Sequence, residues 1–123
     1  MLLFNETIWD GFLYTTEQFS DIALAPLLGQ AEKFVVHVRA SQISATTAQV
    51  NINFYVSGDG ETFVLQKADS TTNLGSTTSI VHQIVNETGV LMAAFVRIGV
   101  VMSAGTSANV RVIVAGRGEE TLA

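Results

Sequence analysis

Between Gln49 and Ser57 the chain alternates between two kinds of residue. Val50, Ile52, Phe54 and Val56 occupy one parity, and Asn51, Asn53 and Tyr55 the other. Only an extended strand puts every second side chain on one side, so this run reads as a strand with one buried and one wet face. The same period returns in Phe34, Val36, Val38 and Ala40, set against Val35, His37 and Arg39. It returns again in Val110, Val112 and Val114. Val90 to Met102 is the longest such run. Both of its faces are largely apolar, which suits a central strand or one that contacts a partner. No segment longer than ten residues carries a helical pattern with caps, so the chain is confined to a β architecture.

Turn signals punctuate these runs. Ser57-Gly58-Asp59-Gly60 closes one strand, and Thr62 to Gln66 reads as the return strand of a hairpin. Asp69 to Thr78, rich in Ser, Thr, Asn and Gly, reads as a long loop. Ser79 to Val85 reads as a strand, with a turn at Asn86 to Gly89. In the first thirty residues Phe12 to Thr15 and Ile22 to Ala25 are read as short strands, with a helical turn over Asp21 to Leu28 as the other reading. Seven to eight short strands at this spacing indicate an all-β, antiparallel β-sandwich, either jelly-roll or immunoglobulin-like. Proline occurs once, at Pro26, and no linker or charge block divides the 123 residues, so residues 1–123 read as a single domain.

Charge narrows the function. Six basic residues against eleven acidic ones leave a net charge of −5, and the basic residues never cluster. Replacing counterions on phosphates requires clustered positive charge, so neither a nucleic acid nor an anionic membrane is an expected partner. Charged residues make up 14% of the chain against 48% hydrophobic ones. A charge-poor surface suits a buried interface, because desolvating charges is costly. There is no cysteine, hence no disulfide framework or thiolate chemistry. The opening Met1 to Glu6 lacks the basic start and apolar length of a secretory leader.

The residues that could carry chemistry are not arranged for it. His37 and His82 lack a second ligand at metal spacing and read as surface or interface imidazoles. No Gly-x-Ser-x-Gly elbow occurs. Asp59, Glu61 and Asp69 offer oxygens near one turn, but the EF-hand pattern is absent, and Asp and Gly there suit a hairpin turn in their own right. No phosphate loop is present. No catalytic residue, metal or cofactor is expected, and the chain is not read as an enzyme. Trp9, Tyr14, Tyr55 and Phe95 are the aromatics a sugar could stack on, and Trp9 and Tyr55 on one exposed flat face would support it; the phenylalanines otherwise read as core.

The run Gln49 to Phe63, with its Ser57-Gly58-Asp59-Gly60 turn before Phe63, resembles a hairpin of tailed-bacteriophage virion proteins. Phe95 to Val101, with Arg97, and the Val-rich Ala108 to Arg117 extend that likeness. The order is similar to small β-sandwich decoration, or cement, proteins of phage heads, over roughly residues 33 to 117. This resemblance implies a structural virion protein on the outer surface of the capsid, often trimeric, that clamps neighbouring major capsid protein subunits and has no catalytic residues. Residues 1–12 then read as a docking arm, with Leu3, Phe4, Ile8, Trp9 and Phe12 as its contacts, or else as an edge strand of the sandwich. Two alternatives stay open: a carbohydrate-binding module for host-surface glycans, using Trp9 and Tyr55, and a small hydrolase or isomerase built on His37 and His82.

Overall fold

A computed structural model describes residues 2–31, 33–41, 48–70, 80–86, 94–104 and 107–117. The alternating runs become strands whose apolar parity points inward. In β3 (Lys33–Ser41) the buried set is Phe34, Val36, Val38 and Ala40; in β4 (Gln49–Ser57) it is Val50, Ile52 and Phe54. In β7 (Phe95–Ala104) it is Val96, Ile98, Val100 and Met102, and in β8 (Ala108–Arg117) it is Ala108, Val110, Val112 and Val114. Four further strands complete the sandwich: β1 (Leu2–Leu13), β2 (Gln18–Phe19), β5 (Val64–Ser70) and β6 (Ile80–Asn86).

The strands form two four-stranded sheets, in the orders β1-β8-β3-β6 and β2-β7-β4-β5. Every pairing is antiparallel. The first strand pairs with the eighth, the second with the seventh, the third with the sixth and the fourth with the fifth. The chain is thus one long hairpin rolled into two layers, which is the jelly-roll wiring. The apolar parities of both sheets meet between them, so one core serves both layers.

Aromatic rings tie the layers together. Phe34 of β3 lies 6.1 Å from Phe4 of β1 and 5.5 Å from Phe54 of the opposite sheet, centroid to centroid. Phe4 fits because residue 116 is glycine: a Cβ at Gly116 would fall onto the Phe4 ring.

In the N-terminal third the structure selects among readings that the sequence left open. The stretch read as a docking arm or an edge strand is an edge strand, twelve residues long, paired with β8 from Leu2 to Leu13. It is longer than β7, which begins at Phe95; residues 87–93, expected as a turn and the start of that strand, lie outside the described residues. Ile22–Leu24 is a 3-10 turn and Ala25–Leu28 a single turn of α-helix (α1), not a strand. Asp21 accepts a hydrogen bond from the Ala23 amide at 3.0 Å, and Pro26 sits in the first turn of α1, where its missing N–H is not needed. Strand β5 begins and ends later than the period suggested, so Asp69 and Ser70 belong to it rather than to a loop. The remainder of that expected loop, residues 71–79, lies outside the described residues.

Substituting Gly116 with alanine should lower stability by about 1–3 kcal/mol, as overpacking does. Chemical denaturation would measure it. Adding Phe4→Leu should recover part of the loss, because the smaller side chain vacates the space the new methyl group needs.

Candidate functional site

Strand β2 is two residues long, too short to hold itself on a sheet, and the segment around it is fastened by side chains. The Met102 amide donates to the Tyr14 carbonyl at 3.0 Å as the chain leaves β1. The Ser20 amide donates to the Ile98 carbonyl at 2.8 Å, and the Ile98 amide returns a hydrogen bond to Ser20 Oγ at 3.0 Å. Arg97 Nε donates to the Ser20 carbonyl at 3.0 Å, and the guanidinium lies 5.1 Å from the centre of the Phe19 ring.

These contacts flank a polar and aromatic cluster on the outer face of the β2-β7-β4-β5 sheet. Inward Ile52 and Phe54 force Asn51, Asn53 and Tyr55 outward, and register sets Gly99 beside Asn53 and Arg97 beside Tyr55. Gly99 has no side chain, and the Glu17 carboxylate fills that space; a Cβ at residue 99 would strike it. Glu17 Oε2 accepts from Asn53 Nδ2 at 2.9 Å. The Tyr55 hydroxyl lies 2.9 Å from both carboxylate oxygens. Asn51 Nδ2 donates to Asn53 Oδ1 at 3.0 Å, which extends the chain of hydrogen bonds. Phe19 packs edge-on against Tyr55 with centroids 5.5 Å apart. Burial, reinforced by the hydrogen bond to Glu17 and by its charge, pushes the Tyr55 phenol up to about 12. Tyr55 therefore stays a neutral donor at ordinary pH, and the cluster acts as a clamp on the β1–β2 crossing rather than as an acid–base pair.

The turn that the sequence singled out is closed by its own side chains. Asp59 Oδ1 accepts from the Glu61 and Thr62 amides at 2.9 Å each and from the Ser57 hydroxyl at 2.8 Å. Ser57 Oγ accepts from the Gly60 amide at 2.9 Å. Gly60 has φ +80°, a conformation that suits glycine. The amides of Thr62 and Glu61, followed by the Ser57 hydroxyl, draw the Asp59 carboxyl down to about 2. Among the described residues no group of three or more His, Cys, Asp or Glu is placed to hold a metal ion.

The residues expected to bind a partner are scattered in depth. Phe4 is buried in the core, while Leu3, Ile8 and Trp9 are partly buried and pack against it. Phe12 is 44% exposed and stacks with Tyr14, itself 57% exposed, at 6.4 Å and 23°. Trp9 belongs to the β1 sheet, with its indole N–H donating to the Gly11 carbonyl at 3.2 Å, and Tyr55 belongs to the other sheet. The proposed sugar-stacking pair is therefore split between two layers. His37 is exposed and faces Gln83 in register, while His82 faces Val38, so the two histidines are not a cross-strand pair. Sequence reasoning missed Glu17, Asn53 and Gly99. Their signal is faint: one glycine inside an apolar strand, which marks a close approach by another group.

No protein-family model and no curated protein matches the chain. Among solved structures it is similar to a chain of the Bacillus endospore appendages described as a novel family of disulfide-linked pili. The TM-score is 0.44 and the identity 13%, over 91% of this chain and 84% of that one. It is also similar to VP2 in the subviral particle of infectious bursal disease virus, with TM-score 0.46 and 13% identity over 94% of this chain. A chain of the Gx strain of that virus gives 0.45 and 14% over the same share. The protein spans 32% of the length of each viral chain.

Two outcomes follow from the clamp and the turn. Glu17→Gln keeps the shape but removes the charge that Tyr55 and Asn53 donate to. It should cost about 1–2 kcal/mol and lower the Tyr55 pKa, read by ultraviolet titration of the phenol. Because the folded value lies above the ordinary 10.0, this group's stabilising contribution is complete below pH 10 and is lost as pH rises towards about 12. Asp59 has the opposite sign. Its contribution is present above the ordinary 3.8 and is lost as pH falls towards about 2. Unfolding curves from pH 5 to pH 2 should show that loss in the natural chain and a flatter profile in Asp59→Asn.

Proposed function

We propose that the chain is a structural virion protein that decorates a bacteriophage capsid and stabilises it by binding across major capsid protein subunits. The observation that carries this reading is a pair of separate apolar patches on a charge-poor body. The stacked Phe12 and Tyr14 stand where β1 ends. Phe19 and Leu65, 44% and 50% exposed, flank Tyr55 on the outer face of the β2-β7-β4-β5 sheet. A protein that bridges neighbours needs contact surfaces facing in different directions, and clustered aromatic residues are typical anchors of such surfaces. The jelly-roll wiring is one that capsid domains use, and the sequence resemblance to phage decoration proteins points the same way. Phe12, with Tyr14 beside it, is the shell contact in this reading; the buried Phe4 supports the strand that presents it. Repetition over a shell lets modest contacts sum to a large stabilisation.

The test is cosedimentation of the protein with empty shells assembled from the major capsid protein of the phage that carries it. The natural chain should pellet with the shells. Phe12→Ser with Tyr14→Ser should weaken binding by about tenfold or more while leaving the melting temperature within a few degrees, since both side chains are exposed. No pelleting by the natural chain, or undiminished pelleting by the double variant, overturns the reading. Deleting residues 1–12 does not serve here, because it removes a strand of the sandwich.

A further inference from the structure

The basic residues are scattered in the sequence, and the fold gathers them. Arg39 of β3 and Arg111 of β8 are direct register partners on the two central strands of the β1-β8-β3-β6 sheet. Their neighbours Val38, Ala40, Val110 and Val112 are buried, so both arginines stand on the outer face, and both are exposed. Further along the same parity of these strands, register pairs Lys33 with Arg117. Four of the chain's six basic residues thus occupy one parity of one strand pair.

Like charges directly opposite one another on neighbouring strands cost stability. Among the described residues only Asp10 offsets that cost. Asp10 Oδ2 lies 3.9 Å from Arg111 Nε, beyond hydrogen-bonding distance, and both side chains are half exposed or more. Arg39 has no partner among the described residues. The other described acidic residues are elsewhere. Glu6 pairs with the buried Val114, at the opposite parity. Glu17 is bound to Asn53 and Tyr55, and Asp21 caps the turn after β2. Asp59 and Glu61 belong to the turn after β4, and Asp69 to β5, in the other sheet.

The arginine pair adjoins the apolar patch already described. Phe12 shares the outward parity of β1 with Asp10 and faces Asn109, two residues from Arg111. The exposed Phe12–Tyr14 stack and the two guanidiniums are therefore one continuous surface. A guanidinium fork matches a carboxylate with two parallel hydrogen bonds. A long polyanion such as a nucleic-acid backbone would meet Asp10 at the end of the row and be repelled by a body of net charge −5. A few carboxylates beside an apolar hollow, as a protein surface offers, fit both halves of the patch.

We infer that the outer face of the β1-β8-β3-β6 sheet docks on an acidic patch of a partner protein, with Arg39 and Arg111 receiving its carboxylates beside the Phe12–Tyr14 contact. This rests on the shell reading, in which the partner is the major capsid protein, and adds the chemistry of the surface it presents. The repulsion between the two cations is relieved when carboxylates arrive, so the pair favours the bound state.

Cosedimentation with shells over a range of salt tests it, beside an NMR titration of the protein with a capped tetraglutamate peptide. The natural chain should bind shells less tightly as salt is raised. Arg39→Gln/Arg111→Gln should weaken shell binding by about tenfold or more and flatten the salt dependence. Its melting temperature should hold or rise, because facing like charges have been removed. The peptide should shift the backbone amides of residues 37–41 and 109–113 in the natural chain and leave those of the variant in place. Shells bound equally by both chains overturn the inference and leave the shell reading standing. A natural chain that takes the peptide but ignores the shells overturns the shell reading and leaves the acidic partner to be another protein. No shift with the peptide overturns the inference, as does tighter binding of a short DNA strand or heparin fragment of equal charge. A large fall in the variant's melting temperature marks the pair as a structural element and overturns it too.

Discussion

Phe34 stands between two other rings, Phe4 on its own sheet and Phe54 on the facing one. That contact sets which parity of each strand faces inward. With Phe54 inside, Asn53 and Tyr55 must point away from the core, and a slip of one residue would exchange the two sets and turn two polar side chains into the apolar space between the sheets. The outward set then depends on the inward one. Glu17 finds Asn53 and Tyr55 side by side only because β4 is held in this register, and it fits only because the neighbouring strand offers Gly99. The two-residue β2 in turn relies on that clamp and on Arg97.

How legible each part was in the sequence follows from the same physics. Strands β3, β4, β7 and β8 have one uniformly buried face, so their period survives in the residue order. Strand β1 does not show it. Its pairing with β8 shifts register between Leu2 and Phe4 and again between Thr7 and Trp9, and each shift breaks the alternation that marks a strand. Strand β2 is too short to have a period. The 22–28 segment was ambiguous because its apolar residues suit either state, and Asp21 and Pro26 decide it locally. The Glu17 clamp joins residues 36 and 38 positions apart, and nothing local announces it. The Ser57–Asp59 turn was plain because its hydrogen bonds lie within a few residues of one another.

The edges of the sheets bear on how such a body meets others. A bare edge strand invites another chain to pair with it, and bulges and charges guard against that. Strand β1 carries two register shifts with Glu6 and Asp10 along it, and β5 is bulged opposite Phe54 and Tyr55 and carries Lys67. Both strands are poor templates for strand addition. Association through side chains on faces and ends is the mode that remains open to them, and the exposed aromatics and Arg97 are found on those surfaces.

The nested pairing of first with eighth and second with seventh has a consequence for how the protein is made. Strand β8 lies between β1 and β3, so that sheet has no centre until the last strand has been synthesised. The β4–β5 hairpin can close early, across a short connection. The outermost pairing must bring together segments far apart in the sequence, which makes folding slow and leaves β1 without its partner on the ribosome until β8 has emerged. In that interval the exposed apolar face of β1 is a target for chaperones or for aggregation, and a premature stop before residue 108 would release a chain unable to complete either its core or its first strand.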